Sequence, residues 1–155
     1  MKRYLALDVG DATVGVAVSD LLGLTAQGVE TIRRKDLAKD IGRLQELMEQ
    51  YGTKSLVVGL PRNMNGTQGE RCDAVRAFAE EIRKAVPDAG IEFWDERLST
   101  VAASRSLLEA DLSRRKRRKV IDKMAAVFIL QGYLDRLSMA RKAGQGSVSD
   151  EIRGE

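Results

Sequence analysis

The sequence predicts a single mixed α/β domain, a sheet with helices on its faces, and three observations carry that expectation. The first 32 residues divide into three short strand-like runs separated by turn residues. Apolar residues then recur at helical spacing over about 36–51. Finally, Ser55-Leu56-Val57-Val58-Gly59-Leu60 is a continuous apolar run of the kind buried in a parallel sheet.

Residues 3–9 read as the first strand, Gly10-Asp11-Ala12 as a turn, and 13–19 as the second strand. Asp20-Leu21-Leu22-Gly23 turns the chain into a third strand over about 24–32. Leu37, Ile41, Leu44, Leu47 and Met48 form the apolar face of a helix that ends at Tyr51-Gly52. After the strand at 55–60 comes a polar loop, 61–69, with Asn63, Asn65 and two glycines. A helix to about Val86 carries Val75, Phe78, Ala79 and Ile82 on one face, and Pro87-Asp88-Ala89-Gly90 leads into a strand at 91–94. Ser99 or Thr100 is placed to cap a helix through about Glu109. The last long helix is expected over about 119–141. Gly, Ser and charge dominate the remainder, so 142–155 is expected to be a disordered tail behind a single domain of 1–141.

Composition excludes several kinds of chemistry. A chain of 155 residues with 43% hydrophobic and 32% charged side chains suits one globular domain. There is no histidine, so imidazole acid–base catalysis is excluded, and one cysteine without histidine argues against a zinc site. The lone Cys72 makes no internal disulfide, which fits a reducing cytoplasm. No apolar run approaches the roughly 20 residues of a membrane span, and the first strand leaves no room for a signal peptide.

The net charge of +3 is modest but unevenly spread. Arg114-Arg115-Lys116-Arg117-Arg118-Lys119 is an unbroken cationic block. Such a block suits a polyanion, because each neutralised phosphate releases counterions; the plainer alternative is a solvated loop or helix start.

Three carboxylates stand in apolar surroundings. Asp8 is the only charge in Tyr4-Leu5-Ala6-Leu7-Asp8-Val9. Glu96 closes Ile91-Glu92-Phe93-Trp94-Asp95-Glu96, and Asp122 opens an apolar helix containing Ala125, Ala126 and Ile129. An ionised carboxylate beside a core is costly unless something pairs it, and several together suit a divalent cation. Each has an ordinary reading: turn chemistry around Gly10 and Gly15, a helix N-terminus at 95–100, an ion pair of Asp122 with Lys119 or Lys123. Strand alternation does not decide whether Asp95 or Glu96 points to the site, and the other acid is free to pair with Arg97.

Together the acids fit a two-metal phosphodiester hydrolase, with Asp8 as the bridging ligand between two Mg2+ or Mn2+ ions. Gly10 lets backbone approach a phosphate, and Asn63, Asn65 and the amides from Gly66 onward are placed to orient one.

Four segments resemble a known family: Leu7-Asp8-Val9-Gly10 with Val14-Gly15-Val16-Ala17-Val18-Ser19-Asp20, then Val57-Val58-Gly59-Leu60-Pro61-Arg62-Asn63-Met64-Asn65-Gly66-Thr67, then Asp95-Glu96-Arg97-Leu98-Ser99-Thr100, and Ile121-Asp122-Lys123-Met124-Ala125-Ala126. In this order, over about 8–130, they resemble the bacterial YqgF/RuvX family, whose members are named as pre-16S rRNA nucleases or Holliday-junction resolvases. The resemblance implies an RNase H-like fold: a five-stranded mixed sheet, its first three strands antiparallel, flanked by helices. It also implies catalytic acids at Asp8, Glu96 and Asp122, a Mg2+ or Mn2+ requirement, and maturation of the 5′ end of small-subunit ribosomal RNA in the cytoplasm. Arg97 and the cationic block are the expected substrate contacts beside Gly10 and the asparagines. The chain departs from the family at Ala12-Thr13, where a basic residue is usual.

Three other functions compete. A resolvase cutting four-way DNA would use the same acids and differ in oligomeric state; a monomer or weak homodimer is expected here. A non-catalytic nucleic-acid-binding protein influencing transcription would need the cationic block and none of the acids. A phosphotransferase of the actin and sugar-kinase type would need a second such domain, for which the chain is too short.

Overall fold

A computed structural model describes residues 2–61, 69–98 and 114–153, with side chains of the final helix described for 124–144. The five strands are β1 (Leu5–Val9), β2 (Thr13–Ser19), β3 (Ala26–Arg33), β4 (Ser55–Leu60) and β5 (Gly90–Asp95). They form one sheet in the order β3-β2-β1-β4-β5. β1, β2 and β3 pair antiparallel; β4 pairs parallel with β1, and β5 parallel with β4. The expected mixed sheet is present.

Its two faces are built differently because each strand alternates. Leu5, Leu7, Val14, Val16, Leu56 and Val58 point to one face and pack under α1 (Leu37–Gln50) and α2 (Glu70–Ala85). Asp36 caps α1, its carboxylate accepting the Lys39 amide at 2.9 Å, and Gly52 at φ +61 takes the chain away from the helix end. The opposite face presents the small residues Ala6 and Ala17 with Val57 and Trp94. Against these lies α3 (Arg114–Arg153), through Ala125, Ala126, Ile129, Leu130 and Leu134. Small residues on both partners let this helix lie close to the sheet, and Ile129 and Leu130 are fully buried.

Three boundaries differ from the sequence-based expectation. Helix α3 begins at Arg114, so the backbone of the whole cationic block is helical instead of leading into a helix at 119. Six basic residues without Gly or Pro are good helix formers, which explains the earlier start. The same helix continues past 141 to Arg153, through the segment expected as a disordered tail. No proline interrupts residues 142–153, and residues 135–144 contribute no buried side chain. Finally, β5 stops at Asp95, and Glu96 opens a single 3-10 turn, Glu96–Leu98, instead of closing the strand. The expected helix over 99–109 and the loop residues 62–68 lie outside the described residues.

Candidate nuclease site

The ladders line up one row of residues across the α3 face. Thr31 of β3 is registered with Gly15 of β2, and Gly15 with Asp8 of β1. β1 and β4 are registered through Leu7↔Val58, so the next residues, Asp8 and Gly59, are neighbours; Gly59 in turn is opposite Trp94. Asp8 therefore has a glycine on each side. Its side chain is only 7% exposed, near the carboxyl end of a strand whose other residues are all apolar.

Glu96 reaches the same row from β5. A Cβ at Gly59 would lie 2.9 Å from Glu96 Oε1, so this carboxylate rests directly above the bare Gly59 backbone. Adjacent strands are about 4.8 Å apart, which makes Asp8 and the Glu96 carboxylate close neighbours over the carboxyl ends of three parallel strands. Ile129 of α3 closes the same space from above, its Cδ1 lying 2.5 Å from that Cβ position. Such carboxyl ends are where open α/β sheets gather their ligands.

The ambiguity between Asp95 and Glu96 is resolved by register. Asp95 is opposite Leu60, whose side chain belongs to the α1/α2 core, so Asp95 points away from the row that holds Asp8. Its carboxylate accepts the Arg97 backbone amide at 3.0 Å and the guanidinium at 2.7 Å through Nη2. These hydrogen bonds hold the Arg97 pKa above its ordinary value. They also fix the tight turn that swings Glu96 over Gly59.

Asp122 is on the backbone of α3, seven residues before Ile129, which is two turns or about 10 Å of helix. Its side chain, and those of Arg114, Arg115, Lys116, Arg117, Arg118 and Lys119, lie outside the described residues. So do Asn63, Asn65 and Gly66. Among the described residues no group of three His, Cys, Asp or Glu is arranged to hold a metal ion. Asp8 and Glu96 nevertheless supply hard oxygen donors on one face, the donor chemistry suited to Mg2+ or Mn2+.

Sequence reading passed over one further pair. Arg34 donates through Nη1 to the Gly10 carbonyl at 2.7 Å, and its Nε faces the Asp40 carboxylate at 3.5 Å. Asp40 is 4% exposed. Its signal was present: Asp40 falls in the apolar stripe formed with Leu37, Ile41 and Leu44, an acid on a buried helical face.

A five-stranded mixed sheet with this order and a helix crossing one face define an RNase H-like fold. Two solved structures agree: Thermus thermophilus RuvC in complex with a Holliday junction substrate (TM-score 0.54, 13% identity, 89% of this chain and 97% of that one) and Thermus thermophilus RuvC alone (TM-score 0.50, 14% identity, 88% and 96%). At such identities these establish the fold alone.

The chain belongs to the RuvX family, described as Holliday junction resolvase, whose model matches residues 2–136. It is 62% identical over 135 residues to the "Putative pre-16S rRNA nuclease" of Moorella thermoacetica, covering 87% of this chain and 96% of that protein. To the protein of the same name from Clostridioides difficile it is 60% identical over 133 residues, covering 86% and 94%. The names of these relatives indicate a nuclease.

Proposed function

We propose that this protein is a metal-dependent nuclease that matures the 5′ end of the small-subunit ribosomal RNA precursor. The observation that carries the reading is the placement of the Glu96 carboxylate over Gly59, beside the buried Asp8, at the carboxyl ends of parallel strands. In this reading Asp8, Glu96 and Asp122 would hold two divalent cations, Mg2+ or Mn2+. Bound there, such ions supply Lewis acidity toward a phosphodiester and lower the pKa of water, work that no histidine in this chain can do.

The chain's own residues have defined parts. Asp8 is already desolvated, so its charge gains more from a cation than an exposed carboxylate would. Glu96 is held by a short turn whose geometry Asp95 and Arg97 fix, which keeps its carboxylate oriented before substrate arrives. The basic residues 114–119 sit on the first turns of the helix that crosses the site, and they attract the phosphate backbone. Asn63, Asn65 and Gly66 orient the scissile phosphate, with Gly10 allowing close backbone approach. A role in processing ribosomal precursor would put the protein in the cytoplasm; among the described residues no helix is long and apolar enough to cross a membrane.

A second reading, cleavage of four-way DNA, is favoured by the description of the matching family model. The same acids serve both, so substrate choice separates them. The test is Mn2+-dependent cleavage of a 5′-extended precursor RNA beside a mobile four-way DNA junction, with Asp8→Asn as control. Cutting of the RNA alone, lost in the variant, is expected. Symmetric cutting of the junction alone moves the protein to recombination, and binding of both without cutting removes the catalytic reading.

A further inference from the structure

We infer that Arg34 is a positioning residue for the turn that carries Asp8, an inference that rests on the nuclease reading above. Arg34 immediately follows β3 and holds both sides of the β1–β2 turn. Its backbone amide donates to the Ala12 carbonyl at 2.9 Å, extending the β2–β3 ladder past Thr13↔Arg33. Its guanidinium donates to the Gly10 carbonyl at 2.7 Å, two residues beyond Asp8. Within the turn Gly10 donates to the Thr13 carbonyl at 2.8 Å, so the three bonds define one rigid loop.

The guanidinium is itself fixed by elements on the other face. The Asp40 carboxylate, 4% exposed in the first turn of α1, faces Nε at 3.5 Å and accepts the Lys35 amide at 3.2 Å. The Phe78 ring of α2 lies 5.0 Å from the guanidinium carbon. A buried carboxylate requires a partner, and an arginine whose fork reaches both that carboxylate and a carbonyl transmits the position of α1 to the Asp8 turn. Lysine, with one ammonium, cannot span both. The arrangement explains why a charge is tolerated on the apolar stripe of α1. It serves the far side of the sheet.

The test uses Arg34→Lys, which leaves a cation beside Asp40, and Asp40→Asn, which keeps an acceptor for Lys35 and removes the charge. Four quantities are measured: kcat and KM on precursor RNA, Mn2+ affinity from the electron paramagnetic resonance of free ion, melting temperature, and amide exchange at Gly10 and Arg34. In both variants kcat is expected to fall by about tenfold to a hundredfold, because small displacements of a reacting group cost that much. KM should stay within about twofold, since uniform binding is untouched. Mn2+ affinity per folded molecule should weaken, and the Gly10 amide should exchange faster.

A merely structural role would lower the melting temperature and the active fraction together, leaving kcat per folded molecule and the Mn2+ affinity unchanged; that result overturns the inference. Wild-type kcat and Mn2+ affinity in Arg34→Lys overturn it as well. Exchange needs neither metal nor substrate, so it separates the two readings. If the wild-type protein binds no Mn2+ and cuts nothing while exchange at Gly10 still responds, the nuclease reading fails. The clamp is then structural only.

Discussion

Glu96 occupies the space that a side chain on Gly59 would need. A Cβ at residue 59 would come 2.9 Å from Glu96 Oε1 and 2.5 Å from Ile129 Cδ1, both closer than real Cβ contacts. Glycine here is a condition of the site.

Gly59→Ala should therefore damage stability and cleavage through different neighbours. Ile129 is fully buried and its Cγ1 also lies 3.2 Å from that position, so overpacking is expected to cost about 1–3 kcal/mol by chemical denaturation. The displaced Glu96 should lower cleavage by about tenfold or more. Adding Ile129→Val removes the Cδ1 contact, so the double variant should recover part of the stability and none of the activity. Full recovery of both would mean that Glu96 does not depend on the gap.

Asp95 and Glu96 are adjacent in sequence and should differ sharply in effect. Glu96→Gln is expected to reduce kcat by about a hundredfold or more, as loss of a metal ligand. Asp95→Asn only loosens the Arg97 turn and should cost about tenfold, the scale of a supporting contact. Equal losses in steady-state assays would put both carboxylates in the site.

The cationic block should show itself in salt dependence. Replacing the basic residues at 114–119 with neutral ones is expected to weaken RNA binding and reduce the slope of log K against log salt by about 0.7 per lost contact to a single strand. A fluorescence titration at several salt concentrations reads this directly. An unchanged slope would place these residues off the path of the nucleic acid.

Tyr133 gives an alkaline signature. Burial, and then its hydrogen bond to Glu92 at 2.6 Å, push its hydroxyl well above the ordinary tyrosine value of 10.0. A raised folded pKa means that the folded state keeps the proton longer. The stability this contributes is full below pH 10.0 and declines as pH rises above it. Ultraviolet phenolate titrations of wild type and Tyr133→Phe should superimpose to about pH 11, because Tyr133 keeps its proton over that range. A smaller amplitude in the variant over that range would contradict the shift.

Much of the fold was legible because its signals are local. Residues 56–60 form an apolar run since both faces of β4 are covered, and α1 shows its buried stripe. Where local signals were weak, boundaries moved. The cationic block has helical propensity but no apolar pattern, so its helical backbone was missed. Asp8 stood out because one charge in an apolar strand has few explanations. Arg34 did not, since an arginine after a strand is ordinary until Gly10 and Asp40 are seen on either side of it.

The sequence by itself determined the class of sheet, the buried acid at Asp8, the family resemblance and the exclusion of histidine chemistry. The sheet class and the acid follow from residue type and periodicity along short stretches, the resemblance from four motifs in order, and the exclusion from composition. Only the tertiary structure decided that Glu96 and not Asp95 joins Asp8, that glycines flank Asp8 on both sides, and that Arg34 ties α1 to its turn. Those facts depend on register between strands distant in sequence. A slip of one residue would send every side chain to the opposite face, and no local pattern carries that information.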